Sequence, residues 1–261
     1  MLCESSVQEV MDLTPVAHLS AIKGSLPFIN FFDGFRTSHE IQKVEVFDTE
    51  LYKDLIDYEA LENFRKRALN PHTNPVTRGG AENDDIYFQG MEARNEHYAK
   101  VPAIVAEYME KISEITGRHY APFTYYGAPD AERIIIAMGS ITETAHETID
   151  ALMAQGEKVG MIKVHLYRPF APEYMLKVMP STVKKIAVLD RTKESGAMGE
   201  PLYLDVVAAL KDRKDIEIIG GRYGLGSKDT QPCHVKAVFD HLKEEKMING
   251  FTIGIEDDLT H

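Results

Sequence analysis

The chain has 261 residues, with 29 Lys and Arg against 41 Asp and Glu, a net charge of −12 at pH 7 and 44% apolar residues. Such a length holds about two domains of ~100–200 residues each, and the apolar fraction is that of a chain that buries a core. The acidic balance speaks against nucleic acid as a partner, because neutralising phosphates takes clustered Lys and Arg. No run approaches the ~20 apolar residues of a membrane span, and no basic, apolar leader opens the chain, so a cytoplasmic protein is expected. Cys3 and Cys233 are its only cysteines. They leave no disulfide framework and fall short of the thiolates an iron–sulfur cluster uses, and both read as packing or surface residues.

Residues 6–22 place Val7, Val10, Met11, Val16, Leu19 and Ile22 at helical spacing, with Ser5 or Ser6 as cap and Gly24 as stop. Pro15 is expected to kink this helix or split it. The run LPFINFF at 26–32, closed by Asp33-Gly34, reads as a buried parallel strand followed by a loop. Residues 38–46 show no clear period. Pro71, Pro75, Gly79, Gly80 and Asn83 interrupt residues 70–90, a long loop of the functional or interface kind. Residues 101–116 carry Ile104, Val105, Tyr108, Ile112 and Ile115 on one helical face, with Gly117 as stop. Residues 120–130, holding Pro122, Gly127 and Pro129, look like a linker.

From Glu132 onward strands and helices alternate. Strands are predicted at 133–138, 158–167, 185–189 and 216–219, and helices at 143–155, 172–179, 201–210 and 232–243. That alternation implies βαβ crossovers and a parallel sheet. The fold class is therefore α/β, with two parallel-sheet units, 1–125 and 126–261, and no internal repeat.

Four segments carry chemistry. In Met138-Gly139-Ser140-Ile141-Thr142-Glu143, Ser140 and Thr142 read as caps for the next helix, whose N-terminus is also able to receive an anion. The glycine cluster at 220–228 lacks the order of a Walker loop and reads as a tight connection to the helix at Pro232. Asp33-Gly34-Phe35-Arg36-Thr37-Ser38-His39-Glu40 follows the carboxyl end of a strand, where open α/β sheets bind ligands. There Arg36 suits a carboxylate and His39 a proton transfer. The alternative is that Asp33 and Thr37 cap turns while Arg36 pairs with Glu40. Asp190, at the end of a later strand, is placed where it could touch a ligand, but the segment with Arg191, Lys193 and Glu194 reads rather as a charged loop or domain contact. The other histidines, His165 and the terminal His261 among them, show no metal spacing. No GxGxxG follows a strand, which disfavours a nicotinamide dehydrogenase.

The strings FFDGFRTSHEIQKVEV, DIYFQG, YYGAPDAERIIIAMGS, KVHLYRPF, VLDRTKESGAMGEPLYLDV, GGRYGLGSK and GIEDDLTH resemble, in order and spacing, the pyruvate:ferredoxin (flavodoxin) oxidoreductases. The resemblance implies that 1–125 is the later part of a thiamine pyrimidine-binding domain, an incomplete thiamine diphosphate-binding fold, and that 126–261 is a transketolase C-terminal-like domain. It implies an enzyme component for the thiamine diphosphate-dependent oxidative decarboxylation of pyruvate with coenzyme A to acetyl-CoA and CO2. Thiamine diphosphate and Mg would serve the complete enzyme, a homodimer that passes electrons to ferredoxin or flavodoxin, with iron–sulfur clusters only in domains absent here. The motifs that bind substrate and activate the cofactor would precede Met1 and the remaining domains would follow His261, so the chain is expected to be an internal fragment, inactive alone. Asp33, Arg36, Thr37 and His39 are expected near the active site. A non-catalytic α/β scaffold or subunit-interaction protein is the other reading. A first unit without its opening strands is expected to expose an unpaired edge and to be less stable than the second.

Overall fold

The computed structural model describes residues 1–77 and 80–255; Gly79 of the 70–90 loop and the last six residues of GIEDDLTH, His261 included, lie outside them. The chain opens on a strand that the sequence does not announce, β1 (Leu2–Glu4). It is followed by α1 (Val7–Gly24), capped by the Ser6 hydroxyl, which accepts the Glu9 N–H at 3.2 Å. Pro15 does not split this helix: one helix runs from Val7 through Gly24. An interior proline costs about 3 kcal/mol, and here packing outweighs it. Leu13, Val16, Ala17 and Leu19 on both sides of Pro15 are buried in one core, and Thr14 Oγ1 donates to the Val10 carbonyl at 2.6 Å beside the missing donor.

β2 (Asn30–Phe32) pairs in parallel with β1, Leu2 opposite Asn30 and Glu4 opposite Phe32. The expected buried strand at 26–32 is thus three residues long and half-open, with Ile29 57% and Phe32 40% exposed. β2 is the open edge of this two-stranded pair, whose other strand, β1, is fully buried. Two short helices then follow, α2 (Glu50–Lys53) and α3 (Tyr58–Lys66), with Asp57 capping the second. The 70–90 loop ends in α4 (Tyr87–Glu92). The long α5 (Asn95–Thr116) stops at Gly117, whose φ of 70° suits glycine. It starts six residues before the predicted 101, because its first turns are polar and exposed and show no apolar period. Val101, Val105, Tyr108 and Ile112 pack α5 on α1.

The second sheet has six strands in the order β3-β5-β4-β6-β7-β8. They are β3 (Phe123–Gly127), β4 (Arg133–Ala137), β5 (Val159–Val164), β6 (Lys185–Asp190), β7 (Glu217–Arg222) and β8 (Phe251–Thr252). All neighbours are parallel except β3, which runs antiparallel to β5. The predicted linker at 120–130 therefore contains an edge strand, and the sheet begins at Phe123 rather than after residue 125. Its glycine is a ladder position: a Cβ on Gly127 would run into the Gly160 backbone opposite, so the residue that suggested a linker permits close approach instead.

The crossovers are α6 (Ile141–Met153), α7 (Pro172–Val178), α8 (Pro201–Ala209) and α9 (Pro232–His241). Ile135, Ala137 and Leu189 face α6 and α9, while Ile134, Ile136 and Val188 face α7 and α8. The adjacent strands β4 and β6 thus send their chains to opposite faces. Such a reversal opens a crevice at their carboxyl ends.

Candidate functional site

The first unit fills that crevice. β2 ends at Phe32, and the next side chain, Asp33, reaches across: its Oδ1 accepts Arg191 Nη1 at 2.7 Å. Its Oδ2 accepts the backbone N–H of Ser140 at the start of α6. Arg191 itself is held by donating from Nε to the Gly224 carbonyl at 3.0 Å. Behind the pair lies Tyr223, wholly buried, whose hydroxyl is pushed well above its ordinary pKa by burial and then by the Asp33 charge.

Past Asp33 the loop turns back. The N–H groups of Thr37 and Ser38 donate to the Asp33 carbonyl at 3.4 and 3.3 Å. Thr37 is buried, and its hydroxyl donates to the Ser5 carbonyl at 3.4 Å. Arg36 pairs with Asp229 at 2.6 Å and donates to the Ser227 carbonyl at 2.7 Å, not with Glu40, which instead accepts from Gln42. His39 remains in solvent, its Nδ1 2.8 Å from Ser38 Oγ and its ring stacked on Phe35 at 4.7 Å. Of the four candidates, Asp33, Arg36 and Thr37 come together at the junction of the two units and His39 does not.

The other segments resolve differently from their sequence reading. Neither Ser140 nor Thr142 caps α6 with its side chain: Thr142 Oγ1 donates to the Gly139 carbonyl at 2.8 Å, and Asp33 serves as cap from outside. Asp190 accepts the N–H groups of Leu202 and Tyr203, each at 3.0 Å, and so caps α8. Burial raises its carboxyl to about 6 despite those two donors. Gly220 and Gly221 lie within β7, under the rings of Tyr203 and Phe251, so the connection to α9 starts only at Tyr223.

A second cluster was not singled out in the sequence. Lys163, on β5, places Nζ 2.6 Å from both Ser5 Oγ and Glu9 Oε1, and 3.0 Å from Glu143 Oε1. His165 Nε2 stands 3.4 Å from the same Glu9 oxygen. Burial alone would raise Glu9, but His165 and Lys163 outweigh it and hold the carboxyl well below the usual range. The signal was a lone lysine in the otherwise apolar string VGMIKV: a charge inside a buried strand requires a partner. Between this cluster and the Arg36–Asp229 pair lies a cleft of about 490 Å³, lined among others by Ser5, Glu143, Arg191 and Lys228.

Comparison with known proteins follows the same division. Residues 1–110 match the family described as pyruvate flavodoxin/ferredoxin oxidoreductase, thiamine diP-binding, and residues 131–250 match pyruvate:ferredoxin oxidoreductase core domain II. A solved 2-oxoglutarate:ferredoxin oxidoreductase from Magnetococcus marinus overlays 64% of this chain and 26% of that one, with a TM-score of 0.39 and 18% identity. The sequence relatives are much nearer. A pyruvate-flavodoxin oxidoreductase of Enterobacter agglomerans is 58% identical over 262 aligned residues, and a pyruvate:ferredoxin oxidoreductase of Moorella thermoacetica 56% identical. Both alignments take in 100% of this chain and 22% of the relative. The chain spans about a fifth of the length of the curated relatives it matches, and across that span it belongs to the pyruvate:ferredoxin (flavodoxin) oxidoreductase family.

Proposed function

We propose that the chain contributes one wall of the active site in a thiamine diphosphate-dependent oxidoreductase that decarboxylates pyruvate, forms acetyl-CoA and CO2 and reduces ferredoxin or flavodoxin. The observation that carries this reading is identity of 56–58% to such enzymes along the whole chain. The proposed units are the later part of a thiamine pyrimidine-binding domain, ending near residue 122, and a transketolase C-terminal-like domain after it. In the complete enzyme, a homodimer, Mg would accompany the diphosphate and iron–sulfur clusters would carry the electrons. Asp33 and Arg36 bind the two units together at the edge of the active site in this reading, and Thr37 fixes their loop to Ser5.

The residues described here do not make a diphosphate seat on their own. Among them, no group of three or more His, Cys, Asp or Glu is placed to hold a metal ion. The two guanidiniums of the cleft, Arg36 and Arg191, are each engaged by a carboxylate. No catalytic step is assigned to this chain alone. What its own residues do is hold two units in register, by closing the crevice of the second sheet with Asp33 and by neutralising Lys163 with Glu9 and Glu143.

Pyruvate-dependent reduction of a viologen dye tests the reading, with thiamine diphosphate, magnesium and coenzyme A supplied. The purified chain is expected to be inactive alone and to restore activity when mixed with the remaining parts of the Enterobacter agglomerans relative. Activity of the chain alone, or none on mixing with parts that demonstrably bind it, overturns the proposal.

A further inference from the structure

We infer that the crevice between the ends of β4 and β6 is a receptor for a small carboxylate, and that Asp33 of the first unit occupies it as a built-in ligand. Three independent features shape it around a carboxylate. The Ser140 N–H at the head of the 13-residue α6 and the Arg191 guanidinium take one oxygen each, so both lone-pair directions of the anion are met by donors. Gly139 supplies the room: its φ is +80°, and a Cβ there would come 2.8 Å from Asp33 Oδ2. Arg191 is fixed beforehand by the Gly224 carbonyl, and Gly224, at φ +64°, leaves the guanidinium its space, since a Cβ would stand 3.2 Å from Nε. All of these donors and both glycines belong to the second unit, whereas only the carboxylate comes from the first.

The surroundings agree. A cavity of about 270 Å³ adjoins the pair, walled by Phe31, Phe32, Met138, Tyr167, Pro201 and Tyr223. Its walls are mostly apolar, with Asp190 and Thr192 the polar side chains beside the Asp33–Arg191 pair. They suit a carboxylate carried on a short apolar body such as acetate or a C3 acid. Asp33 thereby reports to the second unit that the first is docked, and a free carboxylate competes for the same seat.

The full chain carrying Asp33→Ala, melted in sodium acetate and in sodium chloride of equal ionic strength, tests this. Acetate at 100 mM is expected to raise the Tm of the variant by several degrees over chloride and to leave the unsubstituted chain unmoved. Adding Arg191→Gln is expected to abolish the response. Equal acetate shifts in variant and parent, or none in a folded Asp33→Ala chain, overturn the inference. Should that variant not fold, Asp33→Asn keeps the shape. It keeps an oxygen for the Ser140 N–H but offers Arg191 no anion, so its Tm is expected below that of the parent and, with the seat still filled, unmoved by acetate; an acetate shift in Asp33→Asn overturns the inference equally.

Discussion

Lys163 Nζ lies 2.6 Å from Glu9 Oε1, joining the central strand region of the second unit to the first helix of the first, with side chains only 8% and 12% exposed. Two units whose cores meet at Leu166, which packs with Leu2 and Leu13 of the first, are thus also stitched by a charge pair taken out of water. Such a pair adds little over an apolar replacement, but breaking it leaves an uncompensated buried charge.

Lys163→Met is accordingly expected to cost about 3–5 kcal/mol, because Glu9 stays buried with its lysine gone and only His165, at 3.4 Å, beside the same oxygen. Adding Glu9→Gln is expected to return much of that loss, and urea unfolding of the two variants and the parent measures the difference. Equal stability of Lys163→Met and the parent would show that water replaces the lysine.

The same carboxyl sets the acid limit of stability. Glu9 is held well below its ordinary value in the folded chain, so below about pH 4 the unfolded chain takes up a proton that the folded one refuses. Stability from this group is full above the ordinary glutamate range and drains as pH falls through it toward the folded value. Glu9→Gln is expected to flatten the stability–pH curve between about pH 5 and pH 2. An unaltered slope there would assign acid unfolding to other groups.

Glu4 pulls the opposite way. It is fully buried on β1, neither carboxyl oxygen has a hydrogen-bond partner among the described residues, and burial, then the Glu9 charge, raises it to about 9. Between the ordinary carboxylate range and pH 9 the folded chain keeps a proton that the unfolded chain has released, so stability declines as pH rises through that window. Glu4→Gln removes the ionisation while keeping the shape. It is expected to exceed the parent in stability at pH 8 by about 5 kcal/mol and to match it near pH 4. A parent at least as stable as the variant at pH 8 would mean that Glu4 is ionised and paired.

Gly221, inside β7, faces the Phe251 ring so closely that any Cβ displaces it. Gly221→Ala is expected to cost about 1–3 kcal/mol of overpacking and to loosen β8, which pairs with β7 at Gly221–Phe251 and Arg222–Thr252. Faster amide exchange at Ile253, whose N–H donates to the Arg222 carbonyl of β7 at 3.0 Å, reads the loosening directly. Unchanged exchange and unchanged melting together would show that Phe251 finds another rotamer.

What the sequence made legible was local. The alternation from Glu132 onward rests on apolar strings such as RIIIA and KIAVLD whose period needs no tertiary information, and those strands and crossovers stand where the periodicity puts them. What it hid depends on partners far along the chain. β1 and β2 exist because Leu2 and Asn30 meet, and β3 because Gly127 fits against Gly160. In the site, Asp33 and Arg36 were visible as chemistry but not as contacts: their partners, Arg191 and Asp229, are 158 and 193 positions away, and nothing local to Asp33-Gly34-Phe35-Arg36 marks them.

The stability of the two units is expected to differ for a reason visible in their surfaces. Among the described residues between 38 and 100 none is buried, and Ile41, Val46, Phe64, Leu69 and Phe88 all stand more than 60% exposed. Backbone without buried side chains opens locally at little cost, and proteases cut such stretches first. The second unit instead has two full cores, one on each face of a six-stranded sheet. Limited trypsin digestion is therefore expected to cut first within 38–100, at Arg65, Lys66, Arg67 or Arg94, and to leave residues 123–255 as the resistant product. Exposed apolar groups at this density also favour association, so sedimentation of the whole chain is expected to depend on concentration, and that of the resistant product is not. Cleavage within 123–255 before any cut in 38–100 would reverse the ranking, and it would place the stabilising contacts of this chain in α1 and α5 rather than in the six-stranded sheet.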